Sequence, residues 1–148
     1  MNQKVKNATL TELDGIQFKS KLEAVTYKAL KDEGFEPEYE KRKYVLQESE
    51  MFTVPCYMPY KDRKTHKDEW GLNRYKTLSI KYTPDFTFML GDRLIIIEVK
   101  GMANDRYPYQ KKLFFKWLSD SRQNACFFEI HNKKQLNQSI EILKEWKA

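Results

Sequence analysis

Two apolar segments separated by the dipeptide Gly91-Asp92 constrain the fold more than any other feature of the chain. The first ends in Phe-Thr-Phe-Met-Leu90, and the second is Arg93-Leu-Ile-Ile-Ile-Glu-Val-Lys100. Glycine at the first position of a two-residue loop is typical of a type II′ turn, so the pattern predicts a β-hairpin. In this hairpin Leu90 pairs with Arg93, and continuing the same register places Asp85 opposite Glu98.

The spacing of apolar residues elsewhere predicts three helices and two further strands. The helices are predicted over 18–34, 104–119 and 133–146, and the strands over 35–46 and 125–130. The apolar stripe predicted for the first helix is Phe18, Leu22, Val25, Ala29 and Leu30, and that predicted for the second is Tyr109, Leu113, Trp117 and Leu118. We expect residues 1–17, which are polar, to be mobile, and residues 47–81, which are interrupted by prolines and a glycine, to form a β-rich insertion. A chain of 148 residues fits one domain. This order of elements predicts an α/β protein with a mixed central β-sheet and flanking helices.

The two acids of the hairpin carry the prediction of a functional site. Directly opposite residues have Cβ atoms about 4.5–5.5 Å apart, so two facing carboxylates destabilise the sheet unless a cation lies between them. Lys100 projects from the same face of its strand as Glu98, whereas Ile97 and Val99 project into the core. Oxygen ligands favour Mg²⁺, for which Mn²⁺ can substitute. Taken singly, Pro-Asp is also a common turn element and Glu-Val-Lys a common exposed strand pattern.

The charge balance suits a polyanionic partner. The chain has 27 Lys and Arg against 21 Asp and Glu, a formal net charge of +6, and nucleic acid is the partner that such a balance favours. In the 47–81 insertion, basic residues alternate with tyrosines and a tryptophan, a mixture able to bind phosphates and stack on bases. The DNA contacts predicted there are Lys64, Lys67, Arg74 and Lys76. An exposed arm whose aromatic residues pack locally would show the same pattern.

Nothing in the sequence predicts secretion or insertion into a membrane. The N-terminal residues are polar, and no apolar run reaches the length of a signal peptide or a membrane span. Cys56 and Cys126 have no neighbouring Cys or His at the spacing of zinc ligands, which fits reduced thiols. We therefore expect a cytoplasmic protein, in the host cell if a phage encodes it.

These residues resemble the PD-(D/E)xK nuclease superfamily, through Pro84-Asp85 and Glu98-Val99-Lys100. Together with Phe18-Lys-Ser-Lys-Leu-Glu23, Tyr39-Glu40 and Tyr82-Thr-Pro-Asp-Phe86, they resemble in particular the Holliday junction resolvases of the phage T7 endonuclease I type and related small phage nucleases. The resemblance covers roughly residues 18–44 and 82–120. It implies a restriction-endonuclease-like core and a Mg²⁺-dependent endonuclease that hydrolyses DNA.

The resemblance also assigns roles to individual residues. It implies that Asp85, Glu98, Glu23 and the backbone carbonyl of Val99 bind the metal, with Lys100 as a further catalytic group. Glu23 also fits a capping box with Ser20, in which its carboxylate bonds the backbone at the start of the helix. The helix after the motif presents Gln110, Lys111 and Lys112 for contact with DNA, although the lysines also fit a solvated helix face.

Three functions follow as hypotheses. The first is a structure-selective DNA endonuclease, of the kind that resolves Holliday junctions in phage recombination. The second is a less selective or sequence-dependent nuclease, like restriction or transposon-end-cleaving enzymes, and the third is a non-catalytic DNA-binding protein on the same fold. Resolvases of this type are homodimers, but the segment between Tyr44 and Tyr82 is longer here, so both a monomer and a homodimer remain open.

Overall fold

The structure, a computed structural model, describes residues 11–51, 53–72, 76–101 and 104–148. Within these residues the chain forms ten strands and three helices. In chain order they are β1 (Thr11–Leu13), β2 (Ile16–Phe18), α1 (Lys21–Asp32), β3 (Glu38–Tyr39), β4 (Tyr44–Gln47), β5 (Tyr57–Lys61), β6 (Asp68–Leu72), β7 (Ile80–Tyr82), β8 (Phe86–Leu90), β9 (Arg93–Val99), α2 (Tyr107–Asp120), β10 (Ala125–Ile130) and α3 (Lys133–Lys147).

The chain divides into two compact units. The first, which we call the sheet unit, contains the chain up to Lys43 and from Thr83 onward. The second, which we call the ribbon unit, is the segment Tyr44–Tyr82. The insertion predicted over residues 47–81 therefore falls within a compact unit of its own.

The sheet unit is built on a four-stranded mixed sheet in the order β10-β9-β8-β3. Strands β9 and β10 are parallel, and the other neighbours are antiparallel. The predicted hairpin register is confirmed, because Leu90 pairs with Arg93 and Phe86 pairs with Ile97. Gly91 has a φ of 61°, as the first residue of a type II′ turn requires. This mixed sheet and the three helices confirm the predicted α/β class.

The side chains of the sheet alternate between two differently covered faces. Ile95, Ile97 and Val99 of β9 join one apolar cluster with residues of α1 and α3, so these two helices cover one face. On the other face Phe114 of α2 lies with its ring centroid 6.2 Å from that of Phe127. Because residues 94–99 of β9 are buried, a charged side chain in this part of the strand is removed from water on either face.

Helix α1 is rotated relative to the apolar stripe predicted for it. The predicted stripe was Phe18, Leu22, Val25, Ala29 and Leu30. Ser20 caps the helix by accepting a hydrogen bond from the Glu23 N–H at 3.1 Å, as predicted. However, Glu23, Tyr27 and Leu30 are buried, while Val25 is 37% exposed. The prediction was wrong at Val25 because the buried face carries a carboxylate, which apolar spacing cannot register.

Other boundaries also differ from the prediction. Residues 11–18, most of which belong to the segment expected to be mobile, form the β1–β2 hairpin around a turn in which Asp14 and Gly15 both have positive φ. Residues 1–10 of that segment lie outside the described residues. The strand predicted over 35–46 is two strands, β3 and β4, and Glu40 between them has a φ of 46°. Strands of two to four residues are too short for their alternation to be recognised.

The two C-terminal helices and the strand between them follow the prediction closely. Strand β10 has the predicted bounds, and α3 extends one residue past them. Helix α2 begins at Tyr107, and the Asn104 side chain accepts hydrogen bonds from the N–H groups of Arg106 and Tyr107. Its predicted stripe included Tyr109, which is 70% exposed, whereas Tyr107 is buried.

The ribbon unit, taken by itself, consists of two antiparallel pairs, β4 with β7 and β5 with β6. The turn between β5 and β6 is closed by Asp62, whose carboxylate accepts hydrogen bonds from the N–H groups of Lys64 and Thr65. One face of the β5–β6 ribbon presents Tyr57 and Trp70, whose ring centroids are 6.0 Å apart. None of the helices in the described part of the chain is both long and apolar enough to cross a membrane.

Candidate active site

The predicted acids meet at one end of the four-stranded sheet. Asp85 immediately precedes β8, and Glu98 lies near the end of β9, which runs antiparallel to β8. The Asp85 carboxylate accepts a hydrogen bond from the Val99 N–H at 2.7 Å, so its side chain continues the strand pairing beyond Phe86. The backbone carbonyl of Asp85 accepts from the Glu40 N–H at 2.8 Å. Asp85 is thus fixed from both sides of its strand.

Glu98 is the most deeply buried acid of the site. Its exposed fraction is 3%, compared with 9% for Asp85. The Lys100 amine lies 2.5 Å from its carboxylate, which confirms that the two side chains share a face. Buried acids are rare unless they are paired or bind a metal. Lys100 supplies one positive charge next to Glu98, while Asp85 contributes a second acid.

Electrostatics show that these acids interact. The pKa of Asp85 is raised to about 8, first by burial and then by the negative charge of Glu98, with a smaller contribution from Glu23. The Val99 N–H and the charge of Lys100 act in the opposite direction but do not compensate. The carboxylates of Glu98 and Glu23 therefore both lie within electrostatic range of Asp85, in a site with little solvent. Such a site favours a proton or another cation.

Glu23 joins this site from the first turn of α1. Its carboxylate accepts hydrogen bonds from the Tyr39 hydroxyl at 2.7 Å, the Lys19 N–H at 3.0 Å and the Ser20 hydroxyl at 3.1 Å. The capping role of Ser20 is confirmed, because its hydroxyl accepts from the Glu23 N–H. The backbone N–H that the Glu23 carboxylate binds is that of Lys19, one residue before the cap, and not that of Ser20 as a capping box requires. Capping does not exclude a second role, because the charge of Glu23 also raises the pKa of Asp85.

The donor set fits a hard divalent cation. Carboxylate oxygens from Asp85 and Glu98 are the ligands that Mg²⁺ uses in proteins, where one or two carboxylates are completed by water and substrate phosphate. Within the described residues, no group of three or more His, Cys, Asp or Glu side chains is arranged to hold a metal ion. A metal at this site would therefore be bound by the two carboxylates together with other oxygen atoms. The resemblance implies that the backbone carbonyl of Val99 is one of these.

Two residues that the sequence did not single out lie beside Lys100. The Lys100 amine is 4.2 Å from the centroid of the Tyr107 ring, and the Tyr107 hydroxyl donates to Glu129 at 2.5 Å. Glu129 is the Cα partner of Glu98 in the parallel pair of β10 and β9. The alternation of β10 could have indicated the face of Glu129, but its partner depends on a parallel register that a sequence does not reveal.

The predicted contacts on α2 are placed differently from one another. The Lys111 amine lies 3.0 Å from Glu129 and 5.3 Å from the centroid of the Tyr107 ring, so it is brought next to the site. Gln110 is half-buried one residue earlier, and Lys112 is exposed. The contacts of Gln110 and Lys112 with DNA remain predictions.

Three of the four DNA contacts predicted in the ribbon unit lie on its surface. Lys64, Lys67 and Lys76 are exposed, and Lys64 and Lys67 flank the turn between β5 and β6. Arg74 and the neighbouring Tyr75 lie outside the described residues. The rings of Tyr57 and Trp70 are 62% and 68% exposed, so this ribbon offers aromatic surface beside basic side chains.

Comparison with known proteins gives a family for the chain. Residues 3–127 match the family described as "Protein of unknown function (DUF1064)". This range contains the three acids, Lys100 and α2, while Glu129 lies just beyond it. No curated protein and no solved structure gives a significant match to the sequence. Since the match covers most of its length, the chain belongs to the DUF1064 family.

Proposed function

We propose that this protein is a Mg²⁺-dependent DNA endonuclease with a restriction-endonuclease-like core of the PD-(D/E)xK type. The observation that carries the proposal is the convergence of Asp85, Glu98 and Lys100 at one end of a mixed sheet, with Asp85 raised in pKa by burial and by Glu98. Two buried acids that repel each other are stabilised by a shared cation. Mn²⁺ would occupy the same oxygen ligands.

Under this proposal, different residues bind the metal and orient the reacting groups. Asp85 and Glu98, with the Val99 carbonyl, would hold the metal, which when bound supplies a nucleophilic water and neutralises phosphate charge. Glu23 would act on this site through the effect of its charge on Asp85. Lys100, whose amine lies beside Glu98, would orient the scissile phosphate or the attacking water. Burial of the site at the sheet end keeps bulk water away from these charges and strengthens their effect.

The finer part of the proposal is selectivity for branched DNA, as in Holliday junction resolvases. The sequence resemblance supports it, and so does the exposed aromatic and basic surface of the ribbon unit, since rings of this kind stack on unpaired bases. At the branch point of a junction the stacking of base pairs is interrupted, so base faces are accessible there that are covered in linear duplex. A homodimer would be required for paired cuts across a junction.

One experiment tests both parts. Purified protein is incubated with a four-way junction and with a linear duplex of the same sequence, in Mg²⁺, in Mn²⁺ and in EDTA. We expect cleavage that needs either metal and strongly favours the junction. Equal cleavage of both substrates would leave a nuclease without junction selectivity, as in a restriction-like or transposon-end-cleaving enzyme. Cleavage in EDTA would refute the metal-dependent mechanism.

A non-catalytic DNA-binding protein is the second candidate, and one observation favours it. Glu98 is already paired with Lys100 at 2.5 Å, and the Glu23 carboxylate accepts three hydrogen bonds, so both acids have partners without a metal. The same purified protein distinguishes this candidate. Tight binding of branched DNA that leaves the DNA intact across titrations of Mg²⁺ and Mn²⁺ would favour it over a nuclease.

A further inference from the structure

A second group of interacting side chains lies next to the acids and has no role in the chemistry above. It is centred on Glu129, whose carboxylate accepts from the Tyr107 hydroxyl at 2.5 Å and from the Lys111 amine at 3.0 Å. The His131 ring nitrogen lies 3.0 Å from its other oxygen. We call these four residues the Glu129 cluster. It connects the end of β10 with the first two turns of α2.

The Glu129 cluster holds its members firmly. Partial burial opposes ionisation of Glu129, but hydrogen bonds from His131, Tyr107 and Lys111 lower its pKa to about 2. Burial and the bond to Glu129 raise the pKa of Tyr107, so the phenol remains protonated and donating. Tyr107 is only 3% exposed. A buried ring whose hydroxyl is bonded to a carboxylate has a single orientation.

This fixed ring is in contact with the proposed catalytic lysine. The Lys100 amine lies 4.2 Å from the centroid of the Tyr107 ring, within the range of cation–π attraction. Lysine has a flexible four-carbon side chain, so the ring and Glu98 together define where the amine lies. Without the ring, Glu98 alone would hold the amine, and it could rotate about that one contact.

We propose that Glu129 is a positioning residue, which holds the Tyr107 ring against Lys100 and so fixes the amine beside Glu98. The inference rests on the proposed function, because it requires that Lys100 orients the scissile phosphate or the attacking water. Glu129 itself touches neither metal nor phosphate in this scheme. Its effect reaches the reaction only through Tyr107 and Lys100.

The kinetic test compares Glu129 variants that remove the acceptor for the Tyr107 hydroxyl with one that keeps it. Glu129→Leu should lower kcat on the junction by about 10-fold, a typical effect of supporting residues, and leave KM nearly unchanged. Glu129→Gln should restore most of kcat, because its amide oxygen still accepts from Tyr107. Combined with Lys100→Met, Glu129→Leu should have no additional effect, since it acts through Lys100. Glu141→Leu, which removes an exposed acid paired with Lys144 on α3, serves as the matched control.

A second measurement needs no activity. The Lys100 amine lies 4.2 Å from the centroid of the Tyr107 ring. In nuclear magnetic resonance spectra we therefore expect the ring to shift the adjoining ε-methylene protons of Lys100 upfield. Glu129→Leu should reduce this shift, and Tyr107→Leu should remove it. If Glu129→Leu does not fold, Tyr107→Phe, which removes only the bond to Glu129, provides the same comparison.

The two proposals fail in different ways. A wild-type protein that cleaves no DNA would overturn the proposed function, while the resonance measurement would still decide whether Glu129 positions Lys100. An active wild type for which Glu129→Leu keeps the wild-type kcat, or for which its effect adds fully to that of Lys100→Met, would overturn the positioning role alone. An unchanged Lys100 resonance in Glu129→Leu would also overturn it.

Discussion

The two units of the chain expose and bury opposite kinds of side chain. In the sheet unit three carboxylates, those of Glu23, Asp85 and Glu98, are withdrawn from water at the end of a sheet. In the ribbon unit Tyr57 and Trp70 stand exposed on a two-stranded ribbon. Burying acids is unfavourable unless a ligand compensates, and exposing large rings is unfavourable unless a partner covers them. Under the proposed function each unit has a different partner, a cation for the sheet unit and nucleobases for the ribbon unit.

This contrast predicts a separation of effects. Changes to the acids and to Lys100 in the sheet unit should alter turnover and leave binding intact, because the acids do not attract a polyanion. Changes in the ribbon unit should alter affinity and leave turnover at saturating DNA intact. A residue whose substitution violates this division would show that the units do not have separate roles.

The largest effect is expected from the two hairpin acids. Asp85→Asn or Glu98→Gln should reduce cleavage on the order of 10⁴-fold, the scale seen when one member of a catalytic group is removed, because each removes a metal ligand. Binding of junction DNA, measured by fluorescence anisotropy in EDTA, should not fall. Asp92→Asn changes an exposed acid in the turn of the same hairpin and is the matched control. Retained cleavage in either site variant would contradict the assignment.

Lys100 should have the next largest effect. Lys100→Met keeps much of the side-chain volume and removes the charge, so kcat should fall by about 10²-fold, as for other groups that assist proton transfer or orientation. KM should change little, since the amine is paired with Glu98 rather than displayed to solvent. Lys116→Met, at an exposed lysine on α2, controls for the loss of one positive charge. A change confined to KM would make Lys100 a binding residue.

The hairpin shows how much the sequence could predict. Its turn, its register and the shared face of Glu98 and Lys100 follow from a glycine at the turn and from the alternation of a strand, both of which are local. The remaining neighbours of the site depend on contacts that are distant in sequence. Glu129 reaches Glu98 only through the parallel pairing of β10 with β9, and no local pattern specifies that register.

Helix α1 shows why apolar spacing can mislead at a site. Glu23 faces inward, so the buried stripe of the helix is interrupted where chemistry is expected, and the pattern suggested burial of Val25 instead. Tyr107 was missed because it lies outside the apolar stripe predicted for α2, although its ring is buried and lies against the Lys100 amine. Residues selected for a site break the local rules from which sequence predictions are made.

The stability of the metal-free protein should depend on pH through Asp85. Folding raises its pKa from 3.8 to about 8, so between these values the native state holds a proton that the unfolded chain has lost. The free energy of unfolding contributed by this group therefore falls as the pH rises from about 4 to about 8 and is constant above that. In EDTA, we expect the melting temperature of the wild type to fall from about pH 5 to about pH 8 by on the order of 10 °C more than that of Asp85→Asn.

Added Mg²⁺ supplies the check on this interpretation. If Mg²⁺ binds the ionised acids as proposed, it should raise the melting temperature more at the higher pH, and it should have little effect on Asp85→Asn. Parallel pH profiles for the wild type and the variant would mean that Asp85 titrates normally. That result would remove the electrostatic argument for a cation in the sheet unit while leaving the ribbon unit unaffected.

The smallest effect, and the one that tests the ribbon unit, is expected from Trp70. Its ring is 68% exposed and lies 6.0 Å from that of Tyr57, so a base could stack on it. Trp70→Ala should weaken binding of single-stranded and junction DNA by about 10-fold, from the 1–3 kcal/mol of one stacked base, and duplex binding by less. Leu78→Ala, at an 89% exposed apolar residue of the same unit, is the control. Equal losses on duplex and single strands would mean that the ring does not contact unpaired bases, and a fall in kcat at saturating DNA would assign part of the chemistry to the ribbon unit.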